Sequence, residues 1–209
     1  MESIIKNCTE AAQKVYEKFD ASHDFAHIER VMKNAEAIVA TEPAASNKIV
    51  RLAALLHDID DSKYKTNENP TAQEILETNG ASVEMVQKVL ACINSVSFSG
   101  GNEQAITSIE GAILRDADRL DAIGAIGIAR TFAFGGAKGR KLYDRDEAVR
   151  SDMSEDEYRK RGTASLTHFY EKMLLLKDLM VTEEGKRLAK ERHQFLLEFL
   201  QQFNKEVGL

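Results

Sequence analysis

The residues from Ile49 to Leu56, Ile-Val-Arg-Leu-Ala-Ala-Leu-Leu, form an apolar helical run that closes on two adjacent polar residues, His57 and Asp58. A helix this apolar belongs inside a helical core, and a core has no structural use for such a pair. Desolvating an imidazole and a carboxylate together costs several kcal/mol, on the order of the penalties for unpaired buried polar groups, unless something binds them. A divalent cation would. His27 upstream and Asp118 downstream each sit inside a helical pattern of their own. Two imidazoles and two carboxylates make a nitrogen and oxygen site suited to Mn, Fe, Co, Mg or Zn rather than to a thiolate-bound metal.

The rest of the chain agrees with a helical surrounding. Only 2 prolines interrupt 209 residues, the 12 glycines cluster, and few segments alternate with the two-residue period of a strand. These features predict an all-α bundle, organised as a single domain over residues 1–209. The net charge of −6 and the lack of a long basic stripe argue against a dedicated nucleic-acid surface. Cys8 and Cys92 lack metal or redox spacing and read as free thiols of a reducing compartment. The first residues lack the layout of a signal peptide, and no apolar run approaches the roughly 20 residues of a membrane span. The expectation is a soluble, cytoplasmic protein.

Periodicity and capping signals place the elements. Helices are expected over about 2–19, from about 25 to before Pro43, and over about 46–59. A polar loop follows from Asp60 to Pro70. Thr71-Ala-Gln-Glu74 fits a capping box and opens a short helix ending at Asn79-Gly80. Ser82 caps a helix over about 83–96. A long apolar helix is expected over about 103–132, broken or bent near Asp116–Asp121, then a glycine-rich loop at 135–139. A second capping box, Ser154 to Glu157, opens a helix to about 178, and Thr182 opens the last one.

Several residues carry possible chemistry. Arg30 lies three positions after His27 on one helix edge, placed to receive phosphate oxygens. His23, in the break before that helix, is the rival ligand. Asp61 falls four residues after His57, on the same face if the helix continues, where a carboxylate can orient or deprotonate a water. Asp60 points elsewhere and reads as solvent-facing. Lys63 offers a phosphate contact. Leu114-Arg-Asp-Ala-Asp-Arg-Leu-Asp121 puts three aspartates and two arginines into an apolar helix, with Asp118 and Asp121 on one face and a ladder through Arg115 and Arg119 as the structural alternative. Lys138, Arg140 and Lys141 in the glycine-rich segment can hold phosphates, and Phe98, Phe132 and Phe134 are candidates for a base or for the core. His168 and His193 lie on the C-terminal helices without a clear assignment.

The ordered set His27, His57-Asp58, Asp118, each in a helical setting, resembles the HD-domain superfamily of phosphohydrolases, written H…HD…D, over about residues 20–135. Ser22-His-Asp, His27-Ile-Glu-Arg-Val31, Ser97-Phe-Ser99, Gly124-Ala-Ile-Gly-Ile-Ala-Arg130 and His168-Phe-Tyr-Glu-Lys172 extend the resemblance to one small bacterial subgroup and nearly the whole chain. The resemblance implies an HD-type helical bundle with His27, His57, Asp58 and Asp118 as metal ligands. The stretch from 59 to 167 holds no histidine, unlike two-metal members, so one divalent ion is expected. Members acting on guanosine tetraphosphate carry Glu-Asp where this chain has Asp61-Ser62, and Ser62 does not replace that aspartate.

The resulting expectation is a metal-dependent phosphohydrolase acting on a small phosphorylated molecule, with a nucleoside triphosphate split to monophosphate and pyrophosphate as first choice. A phosphomonoesterase of the 5′-nucleotidase type and a non-catalytic nucleotide sensor are the alternatives. Asp61 and Arg30 would serve the reaction, and Lys63, Arg119 and Lys138 would hold the substrate.

Overall fold

Side-chain caps start most of the helices, each supplying an acceptor to a backbone N–H that has no partner within the helix. In the computed structural model, residues 2–19, 23–61, 66, 68–96, 105–150 and 162–208 are described. Helix α1 spans Glu2–Tyr16, α2 Phe25–Val39 behind Asp24, and α3 Asn47–Leu56 behind Ser46. The capping box of Thr71 and Glu74 forms as expected and starts α4, Ala72–Thr78, which is followed by Gly80 at φ 81°. Ser82 caps α5, Val83–Asn94. Helices α6, Ile109–Asp121, and α7, Gly124–Ala137, follow. A short α8, Ser165–His168, runs into a π-helical turn, Phe169–Met173, and a 3-10 turn, Leu176–Leu179. The last helix, α9, spans Glu183–Val207 behind Thr182. The fold is all-α, with no strand among the described residues.

The chain divides into two compact units, Met1–Ser97 with Gln104–Asp118, and Phe98–Glu103 with Arg119–Leu209. In the first, α3 is the axis and packs against α1, α2 and α5. Its residues Leu52 to Leu56 are all fully buried, and each leucine among them contributes about 1.5–3 kcal/mol by leaving water. Ile28, Val31, Ala35 and Ile38 of α2 and Ile113, Leu114 and Ala117 of α6 complete this core, and Cys8 and Cys92 are buried free thiols.

In the second unit, Phe132, Phe169, Phe199 and Phe203 form one aromatic cluster, with Phe169 stacked on Phe199 at 5.6 Å. Phe132 is half-buried and packs within this aromatic cluster. Two arginine–carboxylate pairs with buried acids lie among the described residues of this unit. Arg150 grips Glu171 at 2.7 and 2.9 Å while Thr163 donates to the same carboxylate, and Arg130 holds Asp121 at 2.8 Å.

Four expectations need correction. Helix α3 stops at Leu56 instead of running to 59, and tight turns follow it: Ile59 N–H donates to Leu56 O and Asp61 N–H to Asp58 O. The break expected in the long apolar helix is present but falls at Ala122–Ile123, just past Asp116–Asp121, because Gly124 adopts φ 74° behind an extended Ile123. The glycine-rich loop starts later than expected, since Gly135, Gly136 and Ala137 form the last turn of α7. The helix expected from 154 starts only at Ser165 within the described residues, and its capping box lies outside them. No single helix among the described residues is long and apolar enough to cross a membrane.

Candidate metal centre

Three helix ends of the first unit carry the four residues expected to bind metal. His27 is the third residue of α2, and the Asp24 carboxylate accepts its backbone N–H at 3.0 Å, which fixes where the side chain departs. His57 caps the C-terminus of α3. Its ring Nδ1 lies 2.9 Å from Ala54 O, so the proton on that nitrogen is used internally and Nε2 is left to face the site. Asp58 follows directly. Asp118 sits in the last turn of α6, next to Ala117, whose carbonyl accepts the buried Asn34 Nδ2 of α2 at 3.0 Å. On the same helix, Arg115 Nε donates to Ser95 O at 2.6 Å.

The functional atoms converge. His27 Nε2 is 3.4 Å from Asp58 Oδ2 and 3.5 Å from Asp118 Oδ1, and His57 Nε2 is 3.5 Å from Asp58 Oδ1 and 3.7 Å from Asp118 Oδ1. Each Asp58 oxygen therefore faces one imidazole. The nearest ligand atoms of His27, His57 and Asp118 all lie within 4.8 Å of one another. Both histidine side chains are 1% exposed, Asp58 is 15% and Asp118 29%, so the centre opens to solvent on its carboxylate side.

The charges show what this arrangement wants. Burial works against a charged His57, but the Asp58 charge, with the contact and charge of Asp118, outweighs it and raises the imidazole to about 9. Burial likewise works against the Asp58 and Asp118 carboxylates. The histidines outweigh it, His57 most of all, and hold both far below the usual carboxylate range. A field that holds an extra proton on a buried imidazole holds a cation in its place. His57 Nε2 and Asp58 Oδ2 are buried without a hydrogen-bond partner among the described residues. Their separations from neighbouring donors suit atoms sharing one cation, whose ligand edges run about 3–3.5 Å for bonds near 2.1 Å. The donor set fits a divalent metal.

The other expected site residues fall in different places. Arg30 is half-buried one turn after His27 on α2. Asp61 is half-buried at the end of the turns after α3, so its place comes from those turns and not from a continued helix. Asp60 is not simply solvent-facing: its carboxylate accepts Ala72 N–H at 3.0 Å and helps cap α4. Lys63 and Phe98 lie outside the described residues. His23 stands beside the centre, its ring centroid 6.0 Å from that of His27, and its charge helps lower Asp58.

Three further candidates belong to the second unit. Arg119 is buried and donates to Leu179 O. Lys138 is exposed at the end of α7, and it and Arg140 both lie over the Phe134 ring. His168 is held to about 3 by burial, then by Lys172 and Arg140, and stays neutral. Sequence reasoning missed Asn34 as a tie between α2 and α6. Its only signal was an amide on the face of α2 shared with Val31 and Ala35.

Comparison with known proteins gives this arrangement its family. The HD domain family matches residues 24–123. YpgQ of Bacillus subtilis (strain 168) is 36% identical over 200 residues, covering 93% of this chain and 89% of YpgQ. Its crystal structure in complex with ADP superposes with a TM-score of 0.77 at 34% identity, covering 97% of this chain and 94% of that one. An HD-superfamily hydrolase from Bacillus thuringiensis is 40% identical with a TM-score of 0.74, covering 98% of this chain and 96% of its own. A protein from Lactobacillus plantarum reaches a TM-score of 0.87 at 32% identity, covering 100% and 98%. The chain belongs to the HD-domain superfamily of metal-dependent phosphohydrolases.

Proposed function

We propose that this chain works as a single catalytic domain hydrolysing a nucleotide in the cytoplasm, with a nucleoside triphosphate as substrate and nucleoside monophosphate and pyrophosphate as products. His27, His57, Asp58 and Asp118 would hold one divalent ion, of the Mn, Mg, Co, Fe or Zn kind. The observation that carries the nucleotide reading is the ADP complex of YpgQ, a relative at 34% identity over 97% of this chain. The metal reading rests on the buried, unpartnered His57 Nε2 and Asp58 Oδ2.

A bound divalent ion supplies Lewis acidity toward phosphoryl oxygens and makes water a stronger nucleophile near neutral pH. The protein's own groups do the rest. The His57 ring, tied to Ala54 O, presents its second nitrogen without a choice of tautomer. Asp61 orients the attacking water and takes its proton. Arg30, a half-buried guanidinium one turn from His27, offsets the charge that builds on the phosphoryl oxygens. Lys63 contacts the phosphates.

The test is release of phosphate and pyrophosphate from a panel of nucleoside mono-, di- and triphosphates, using metal-stripped protein reloaded with each cation. Pyrophosphate from triphosphates is expected. Asp61→Asn should lower turnover by about 10²–10⁴-fold, the usual contribution of a general base, while keeping metal and nucleotide. Phosphate release from monophosphates alone would replace this reading with a 5′-nucleotidase.

A further inference from the structure

We infer that Tyr16, on the N-terminal helix, is a positioning residue for the metal centre: its buried hydroxyl holds the backbone from which His57 and Asp58 project. The inference rests on the metal reading above.

The end of α3 creates the need. In a continuing α-helix, Leu55 O would accept the N–H of Ile59. That N–H instead donates to Leu56 O at 3.2 Å, because the chain tightens into turns beyond His57. Leu55 O is taken by the Tyr16 hydroxyl, which donates to it at 3.1 Å. One hydroxyl thus holds the carbonyl two residues before His57, in a residue that is fully buried, so that no water replaces it.

The ring contributes as well. Tyr16 is 1% exposed, meets Phe19 edge-on at 5.2 Å, and packs against Phe25 at 6.2 Å. Phe25 is the first residue of α2, two before His27. The side chain therefore touches the departure points of both histidines without touching a metal or a substrate. A general hydrophobic filler would need no hydroxyl there.

Tyr16→Phe keeps the ring and removes the hydrogen bond to Leu55 O. Supporting groups behind metal ligands typically carry 10–100-fold in affinity. Titration of the metal-stripped full chain with Mn2+, followed by electron paramagnetic resonance, should show the dissociation constant raised about tenfold or more. Tyr16→4-aminophenylalanine, which retains an N–H donor, should recover most of the loss. Thr182→Ala, which removes the cap of α9 in the second unit, serves as a control: it should lower the melting temperature and leave Mn2+ affinity unchanged. Binding within about twofold of the wild type in Tyr16→Phe, with only a fall in melting temperature, would overturn the inference and leave a purely structural tyrosine. Failure of the wild-type chain to bind any of Mn2+, Mg2+, Co2+, Fe2+ or Zn2+ would overturn the metal assignment on which it rests.

Discussion

Loading the metal should displace a proton from His57, and this can be measured without any substrate. In the metal-free protein the imidazole stays protonated to about 9, against the opposition of burial, because Asp58 and Asp118 face it. A cation needs the same nitrogen in its neutral form. Below about pH 9 the two compete, so apparent metal affinity should rise about tenfold for each pH unit. Between pH 7 and 9 that is about 2.7 kcal/mol, at 1.36 kcal/mol per unit. Near pH 7, about one proton should leave for each ion bound.

The stability of the metal-free protein follows with the opposite sense. The folded value of His57 lies above its ordinary one, so the contribution is fully present below about pH 6.5 and is lost as pH rises through 9; it amounts to about 3 kcal/mol at most. Calorimetric Mn2+ titrations at several pH values, repeated in buffers of different ionisation enthalpy, give both the affinity slope and the proton count. A flat pH dependence with no proton released would refute the reasoning, because it would mean that the carboxylates do not hold a proton on His57.

Three other substitutions test the packing of the two units. In α7, a Cβ at Gly136 meets nothing within 4 Å, whereas one at Gly127 falls 2.3 Å from Ala122 O and 2.4 Å from Ala122 C. Gly136→Ala should therefore stabilise by about 0.5–1 kcal/mol, raising the melting temperature about 2–3 °C, while Gly127→Ala should cost about 2 kcal/mol or more despite the same gain in helix propensity. Asn34→Leu removes the direct tie from α2 to Ala117 O and should cost about 1–3 kcal/mol; calorimetry measures that cost, and a parallel Mn2+ titration should show weaker binding, since His27 and Asp118 lose their shared anchor.

The elements that proved legible are those whose signals are local. The Thr71–Glu74 box, the caps at Ser46, Ser82 and Thr182, and the histidine–aspartate pair all lie within a few residues of what they determine. The parting of α6 and α7 was harder to place, because the apolar period continues through Ile123 and Ile126 and only the left-handed Gly124 marks it. The end of α3 was misjudged for a related reason. Asp58 and Asp61 fit a helical face on paper, but the ring of His57 and the hydroxyl of Tyr16 take up carbonyls in its last turn. Tyr16 lies 39 residues from Leu55 and Asn34 lies 83 from Ala117, so no local pattern announces either contact.

The separation of the proposed donors along the chain sets the order in which a metal would be acquired. His27, His57-Asp58 and Asp118 are spread over most of the first unit and meet only when α2, α3 and α6 have packed. An emerging chain presents no two adjacent ligands beyond the single histidine–aspartate pair, too few to retain an ion against water. Metallation must therefore follow folding instead of driving it, unlike small zinc domains whose folding energy is the metal's. The choice among competing ions then falls to a rigid, already assembled cage, where coordination geometry and the supply of free metal in the surroundings count for more than intrinsic affinity.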